Sequence, residues 1–218
     1  MANTTFSGTV RAESGLKVSA KAAATGAYTD KFTVSCAGAV CASSTLAAAG
    51  ATSLATTARM TVGTGISAVS NAIVKHSVIT VGNIIETTIA LDLTGLNSSA
   101  AADIIGKDAT ANCHYGQITA AVNGTVLGGK LTCLEAPAGG DPDINLWYAD
   151  EATGTEDAAV TGLTNQVQVC DSGDLALNSV VSLTTVAADK YLYMATGAAT
   201  NADYTAGKLL IEFWGYTA

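Results

Sequence analysis

The sequence predicts an all-β protein, a β-sandwich or jelly-roll-like fold with an extended N-terminal arm and at most one short helix. From residue 72 onward, apolar and polar residues alternate with a period of two, which is typical of half-buried strands. Turn residues divide this part of the chain into about eight to ten short runs, the pattern of sandwiches and jelly rolls. Neither a βαβ rhythm nor a repeat of fixed period is present, which disfavours α/β folds, propellers and solenoids.

The chain divides into an arm and a body. Residues 1–28 alternate only weakly, and we expect them to form an N-terminal arm or a first strand, with the arm able to order on a neighbouring copy. Residues 29–218 are predicted to form the β-sandwich domain. Within it, residues 37–72 are mostly Ala, Ser, Thr and Gly, and their glycines and threonines favour a loose or extended segment over a helix.

The first strands of the body follow one another closely. Residues 73–81 are rich in Val and Ile and end at the turn pair Gly82-Asn83. Residues 85–93 alternate, so that one face is predicted to lie in the core and the other in water. Residues 98–106 carry a serine cap, helix-forming alanines and a closing glycine, and they predict the one short helix.

A hairpin is predicted around Asn123-Gly124, between the runs 118–122 and 125–127, because this dipeptide accepts the backbone angles of a two-residue turn. Gly128-Gly129 offers a competing turn that would lead into residues 130–134 instead. The pattern does not choose between the two registers.

The remaining strands are predicted nearer the C-terminus, at residues 144–148, 166–170, 180–186, 191–194 and 208–216. The last run holds three aromatic residues, Phe213, Trp214 and Tyr216, close to the end of the chain. Chain ends usually fray, so apolar bulk at this position indicates a strand that is paired on both sides in the centre of the core.

Charge excludes some classes of function. The net charge is −8, and residues 131–189 contain ten acidic side chains and no Lys or Arg. Such a block repels phosphates, so nucleic acid is not expected as a partner. We expect a solvated acidic face that keeps crowded copies apart. No segment has the composition of a secretory signal or a membrane span, and we expect a protein made in a cytosol, without a membrane partner.

The five cysteines are odd in number and irregularly spaced, so we expect reduced thiols that pack in or beside strands. They are Cys36, Cys41, Cys113, Cys133 and Cys170. Cys36 and Cys41 could be combined with Cys113-His114 into a zinc site, but the second tight pair of ligands that structural zinc sites use is missing. The sequence therefore predicts no metal site and no cofactor.

No catalytic constellation is recognised, and we expect that the protein is not an enzyme. His76 lies in an apolar run, which favours a half-exposed strand histidine. His114 directly follows Cys113, and adjacent strand residues point to opposite faces, so the two cannot form a nucleophile–base pair there. The motifs of serine hydrolases, zinc proteases and phosphate-binding loops are absent.

The segment Gly139–Asn145 contains two carboxylates, Asp141 and Asp143, on either side of Pro142. They could offer oxygen ligands to Ca²⁺, although the loop lacks the glycine and the distal glutamate of an EF-hand. We favour a tight acidic turn before a strand. Trp147 and Tyr148 lie near these two carboxylates, but the chain has too few aromatic residues for the sugar cleft of a glycosidase.

Three segments carry a resemblance to a known group of proteins. They are MANTTFSGTVR at residues 1–11, GGDPDI at 139–144 and YTAGKLLIEF at 204–213. They resemble virion structural proteins of tailed phages of marine bacteria and cyanobacteria, in which proline usually stands where this chain has Thr9.

The resemblance implies a β-rich capsid decoration (cement) protein that is made in the host cytoplasm and located on the capsid surface of the virion. Its partners would be the major capsid protein and further copies of itself, as a homotrimer. The alternative is a head-fibre or tail-associated adhesin with a glycan-binding jelly roll.

Overall fold

The computed structural model describes residues 60–69 and 74–217 in full, and residues 16–21, 28–34 and 40–42 as backbone strands. Contacts divide the chain into two compact units, Met1–Leu54 and Ala55–Ala218. Sequence reasoning placed the boundary of the arm at residue 28, where the second strand of the first unit begins. Cys36 and most of the small-residue segment 37–72 lie outside the described residues.

The first unit contains one three-stranded antiparallel sheet. Its strands are β1 (Leu16–Lys21), β2 (Tyr28–Val34) and β3 (Val40–Ala42), arranged in the order β1-β2-β3. The register of β1 and β2 shifts between Val18 and Ser19. β1 lies within the segment expected to be an arm or a first strand.

The second unit contains two α-helices of a single turn, one 3₁₀ turn and eleven strands in its described part. The helices are α1 (Thr64–Ser67) and α2 (Ala120–Asn123), and the 3₁₀ turn is Val160–Gly162. The strands are β4 (Val74–Val81), β5 (Ile84–Asp92), β6 (Asn97–Ser98), β7 (Gln117–Ile118), β8 (Thr125–Ala138), β9 (Ile144–Ala149), β10 (Val167–Cys170), β11 (Val180–Leu183), β12 (Lys190–Thr196), β13 (Ala202–Asp203) and β14 (Ala206–Tyr216).

These strands form two main antiparallel sheets. The five-stranded sheet has the order β11-β8-β14-β5-β4, and the four-stranded sheet has the order β10-β9-β12-β7. A small pair, β13-β6, completes the arrangement. In the described part of the chain, strands hold 49% of the residues and helices 7%, so the all-β fold class is confirmed.

One hydrophobic cluster joins the inner faces of the two sheets. β5 and β14 contribute side chains at every second position, whereas β9 and β12 of the other sheet bury consecutive residues and so are covered on both faces. Typical members are Ile89, Leu91, Ile211 and Phe213 from the five-stranded sheet, and Leu146 and Leu192 from the four-stranded sheet. The period-two pattern of the sequence thus marks the buried face, as a sandwich requires.

The C-terminal strand β14 lies in the middle of the five-stranded sheet, between β8 and β5. Its alternate residues Leu209, Ile211 and Phe213 are completely buried. The prediction that this aromatic run is paired inside a sheet at the centre of the core is therefore confirmed.

Both predicted hairpin registers are wrong. Residues 120–123 form α2, in which the Thr119 side chain accepts a hydrogen bond from the Val122 N–H, and Gly124 ends the turn with a φ of 65°. β8 then runs straight through Gly128-Gly129 and pairs with β14 and β11. A Cβ on Gly129 would lie 2.1 Å from the Glu212 carbonyl oxygen, so this glycine permits close strand approach and does not make a turn.

The predicted helix over residues 98–106 is also wrong. Ser98 belongs to β6, and its hydroxyl donates to the carbonyl oxygens of Thr200 and Ala202 at 2.7 and 3.2 Å. The N–H groups of Ile104 and Ile105 donate to Ala158 and Met194, which are distant in the sequence. These polar groups are satisfied by acceptors that are distant in the sequence, so they do not form the local hydrogen bonds of a helix.

The other predicted strands of the second unit are present, with ends that differ by a few residues. The largest difference is in the run 180–186, where β11 ends at Leu183. The turn Gly82-Asn83 is present, with Gly82 at a φ of 61°.

Candidate functional site: an apolar sheet corner

The outer face of the five-stranded sheet carries a group of large apolar side chains at one end. Val81 pairs with Ile84, which in turn pairs with Tyr216, so these three residues form one row across β4, β5 and β14. In the next row, Ile79 and Trp214 flank Glu86. We call the five apolar residues, Ile79, Val81, Ile84, Trp214 and Tyr216, the apolar corner.

The apolar corner is open to solvent. The exposed fractions of its side chains run from 39% for Tyr216 to 74% for Val81. Residues two apart on a strand share a face, and neighbouring strands lie about 5 Å apart, so the five side chains form one continuous patch. With roughly 100 Å² exposed by each large side chain, the patch approaches the largest apolar areas that monomeric proteins leave in water.

One row of this face beside the corner is charged, because Glu212 forms an ion pair with Lys130 at 3.0 Å. Further along the sheet, Lys208 lies between Asp92 and Glu135, and Leu134 and Val180 are exposed apolar side chains. The apolar corner is therefore bordered on one side by a charged pair, as in the polar rim of an interface.

The corner also reaches an edge of the sheet. Among the described residues, β4 pairs with β5 alone, and its eight residues carry one charged side chain, Lys75. A long edge strand of this kind presents unpaired backbone N–H and C=O groups to which another strand can add. Ile79 and Val81 stand on this edge strand, so backbone and side-chain contacts could be made together.

The two histidines occupy different environments. His76 is half-buried on β4, as expected, and its Nε2 lies 2.8 Å from the Tyr115 carbonyl oxygen. His114 is buried, its Nδ1 has no hydrogen-bond partner, and its ring meets the edge of Tyr191 at a centroid distance of 4.9 Å. Burial lowers the pKa of both histidines. In the described part of the chain, neither is hydrogen-bonded to a hydroxyl or thiol nucleophile.

Cys113, Cys133 and Cys170 are free and buried, which agrees with reduced, packed thiols. The Cys113 thiol donates to the Thr110 carbonyl oxygen at 3.1 Å, and burial raises its pKa to about 11. A thiol of that kind is protonated and unreactive at neutral pH. Cys41 lies on β3 of the first unit and Cys36 falls outside the described residues, so the combination with Cys113-His114 stays a prediction that the structure does not test.

The acidic segment before β9 is a turn held by hydrogen bonds. Asp141 is 1% exposed, and its two carboxylate oxygens accept from the N–H groups of Asp143 and Ala198 at 3.0 and 2.9 Å. Burial raises the pKa of Asp143, and the nearby Asp171 raises it further. Because the backbone already occupies both oxygens of Asp141, this geometry agrees with the interpretation of an acidic turn.

Trp147 and Tyr148 lie on β9, half-buried against the core. The Trp147 indole N–H is buried and has no hydrogen-bond partner. These rings pack in the sandwich, and Asp141 and Asp143 are adjacent in one turn. The described residues therefore do not place the two carboxyls and the aromatics around a sugar cleft.

Sequence reasoning did not single out the apolar corner. The signal was present, because Ile84, Trp214 and Tyr216 occupy positions that the alternation assigns to the outer face. Apolar residues on both faces of a strand, as in β5 and β14, are typical of strands whose two faces are both covered. The positions of β4 and β14 in the sheet were needed to show that these residues meet.

None of the helices that the structure describes has the length and hydropathy needed to cross a bilayer. No protein family model matches the chain, and neither a curated protein nor a solved structure matches it.

Proposed function

We propose that the chain is a virion structural protein, a capsid decoration (cement) protein that binds the major capsid shell of a tailed phage. In this proposal it acts as a homo-oligomer, a homotrimer, located on the capsid surface. The observation that carries the proposal is the apolar corner beside β4, which is an edge strand among the described residues. The three sequence segments that resemble phage virion proteins supply the biological setting.

The apolar corner favours a second copy of this chain as its occupant. Its exposed area of roughly 400–500 Å² supplies the apolar part of a standard interface, which buries about 800 Å² on each partner. The Lys130–Glu212 ion pair beside it can supply part of a polar rim. The net charge of −8 makes copies repel one another, so we expect attraction between copies to come from apolar contacts such as the corner.

A cement protein requires many small contacts repeated over a lattice and no chemical step. Two opposite edges of the five-stranded sheet, β4 and β11, suit such repetition, because symmetric assemblies use the same surfaces in every copy. The exposed acidic side chains of residues 131–189, Asp157, Asp171, Asp174 and Asp189, would remain in solvent and limit disordered aggregation.

The test is the oligomeric state of the full chain, measured by sedimentation equilibrium and light scattering from about 1 to 100 μM. The variant Ile84→Lys places a charge in the corner and should weaken self-association by at least about tenfold. Leu177→Lys is the matched control, because Leu177 is 62% exposed and lies outside the sheets. We expect the wild-type chain and Leu177→Lys to associate alike.

A wild-type chain that stays monomeric over this range would exclude the proposed assembly, as would an Ile84→Lys variant that associates like the wild type. Quantified bands from purified virions test the setting, since decoration proteins occur in hundreds of copies per particle and fibres in tens. Few copies together with a positive glycan array would favour the adhesin instead.

A further inference from the structure

Two loops that are distant in the sequence run side by side in the second unit. The Glu156 N–H donates to the Thr110 carbonyl oxygen at 2.9 Å, and the Cys113 N–H donates to the Gly154 carbonyl oxygen at 2.9 Å. This pairing brings three carboxyl groups together. One oxygen from each of Asp108, Glu156 and Asp157 lies within 4.8 Å of the others.

Glu156 is the buried member of this cluster. Its side chain is only 3% exposed, and one carboxylate oxygen, Oε2, accepts from the Ala109 N–H at 2.8 Å. The other oxygen, Oε1, is buried and has no hydrogen-bond partner. Burying a carboxylate oxygen without a hydrogen-bond partner is unfavourable in free energy, so an oxygen of this kind indicates a place where a ligand can bind.

In residues 60–69 and 74–217, no Lys or Arg forms an ion pair with any of the three carboxyls. Their oxygen atoms lie within 4.8 Å of one another, so like charges are held close together there. Asp108 and Asp157 are exposed, so an ion from solvent can reach the buried oxygen.

We propose that Asp108, Glu156 and Asp157 form a binding site for a divalent cation, Ca²⁺. All three donors are hard carboxylate oxygens, and Ca²⁺ accepts an irregular set of such ligands completed by water. Mg²⁺ demands a stricter octahedral geometry. The nearby Cys113 thiol is protonated and directed at Thr110, so the site offers no sulfur ligand of the kind that structural zinc prefers.

The site differs from the segment around Asp141 that the sequence suggested for calcium. In that segment backbone N–H groups use both oxygens of Asp141, while the buried Asp143 Oδ1, like Glu156 Oε1, has no hydrogen-bond partner. Among the described residues, three possible ligand oxygens converge within 4.8 Å only at Asp108, Glu156 and Asp157. A bound ion would fasten the loop at Asp108 to the loop at Glu156 and would be bound only in the folded state. It should therefore raise the melting temperature. This inference does not depend on the proposed capsid function.

The experiment uses the full chain freed of metal by a chelator. Calorimetric titration with CaCl₂ should show binding close to one ion per chain, and about 5 mM CaCl₂ should raise Tm by about 4–8 °C over the chelator sample. MgCl₂ at the same concentration should give a clearly smaller shift.

Two variants remove the site in different ways. Glu156→Gln replaces the buried carboxylate by a neutral group of the same shape. Asp157→Asn removes a charge at a residue with a φ of 62°, a conformation that asparagine tolerates as well as aspartate does. Asp171→Asn, at an exposed acid outside the cluster, is the matched control.

We expect the calcium response to be lost in both site variants and kept in Asp171→Asn. A cooperative melting transition of each of the three variants in chelator would show that all are folded. Absence of calcium binding by the wild-type chain would overturn the proposal, and so would binding that survives either site substitution within about twofold. An equal response to Mg²⁺ would overturn the assignment to calcium.

Discussion

A buried polar pair, Thr87 and Asn123, provides a sharp test of the packing between β5 and α2. Both side chains are 1% exposed. The Asn123 Nδ2 donates to the Thr87 hydroxyl at 2.9 Å, while the Asn123 Oδ1 accepts from the Thr119 N–H at 2.9 Å. Among the described residues, the only other hydrogen-bond acceptor of Nδ2 is the weak acceptor Met60 Sδ, at 3.8 Å.

The substitution Thr87→Val keeps the shape of the side chain and removes the hydroxyl acceptor. Leaving the buried Nδ2 unpaired costs about 1–3 kcal/mol, and burying a methyl group in place of the hydroxyl returns up to about 1 kcal/mol. We therefore expect a net loss of about 1–2 kcal/mol in the free energy of unfolding. For a domain of this size, Tm should fall by about 2–8 °C.

Urea unfolding and thermal melts of the two variants Thr87→Val and Thr88→Val measure this effect. Thr88 is the next residue of β5 and faces outward, opposite Ser77 and Glu212. At that position valine should change stability by no more than about 0.5 kcal/mol, because valine favours strands and no buried partner is lost. If Thr87→Val were as stable as Thr88→Val, the hydrogen bond to Asn123 would not stabilise the fold as we argue.

Two further predictions concern a glycine and a histidine. Gly129→Ala should prevent β8 from pairing with β14 and yield insoluble or strongly destabilised protein, because the alanine Cβ would lie 2.1 Å from the Glu212 carbonyl oxygen. Gly162→Ala is the control and should melt like the wild type, because no heavy atom lies within 4 Å of the added Cβ. As the pH drops below 6.5, the ordinary pKa of histidine, the wild type should lose stability relative to His114→Asn, because the unfolded chain takes up a proton that buried His114, with its lowered pKa, does not. Glu156 and Asp143, whose pKa values are raised, act in the opposite direction in both proteins, so the difference between the two proteins is the measure. Urea midpoints of the wild type and of His114→Asn at about pH 7.5 and 5.5 test this, and an equal decline in both would contradict it.

Strands were predictable because their signal is local. Each residue of β5 reports its face through its own polarity, and the alternation of Ile85, Ile89 and Leu91 requires no knowledge of any other strand. The central position of β14 was predictable for a related reason, since Leu209, Ile211 and Phe213 form an apolar face that is stable only when it is buried, while Trp214 and Tyr216 lie on the exposed face.

The failures share one physical cause. Residues 98–106 carry local helix signals, but hydrogen bonds to Thr200, Ala158 and Met194 outweigh them. Asn123-Gly124 carries a hairpin signal, but the buried Asn123 side chain donates a hydrogen bond to Thr87. In each case a partner far along the chain replaces the local preference, and a single sequence does not name that partner.

The two surfaces on which the proposals rest illustrate the same division. Ile84 and Trp214 could be recognised as outward-facing from alternation alone, but their meeting with Ile79 depends on the strand order. Asp108 and Glu156 showed no metal-ligand spacing, because the ligands come from separate loops that the fold lays side by side.

The amino-acid sequence by itself determined the all-β class, the position of most strands and the side of each strand that faces the core. These properties follow from side-chain polarity repeated every second residue. Tertiary structure alone decided which strands became neighbours, where glycine allows close backbone approach, and which carboxylates converge. Such features depend on distances between residues remote in the chain, and those distances are fixed only when the sheets pack together.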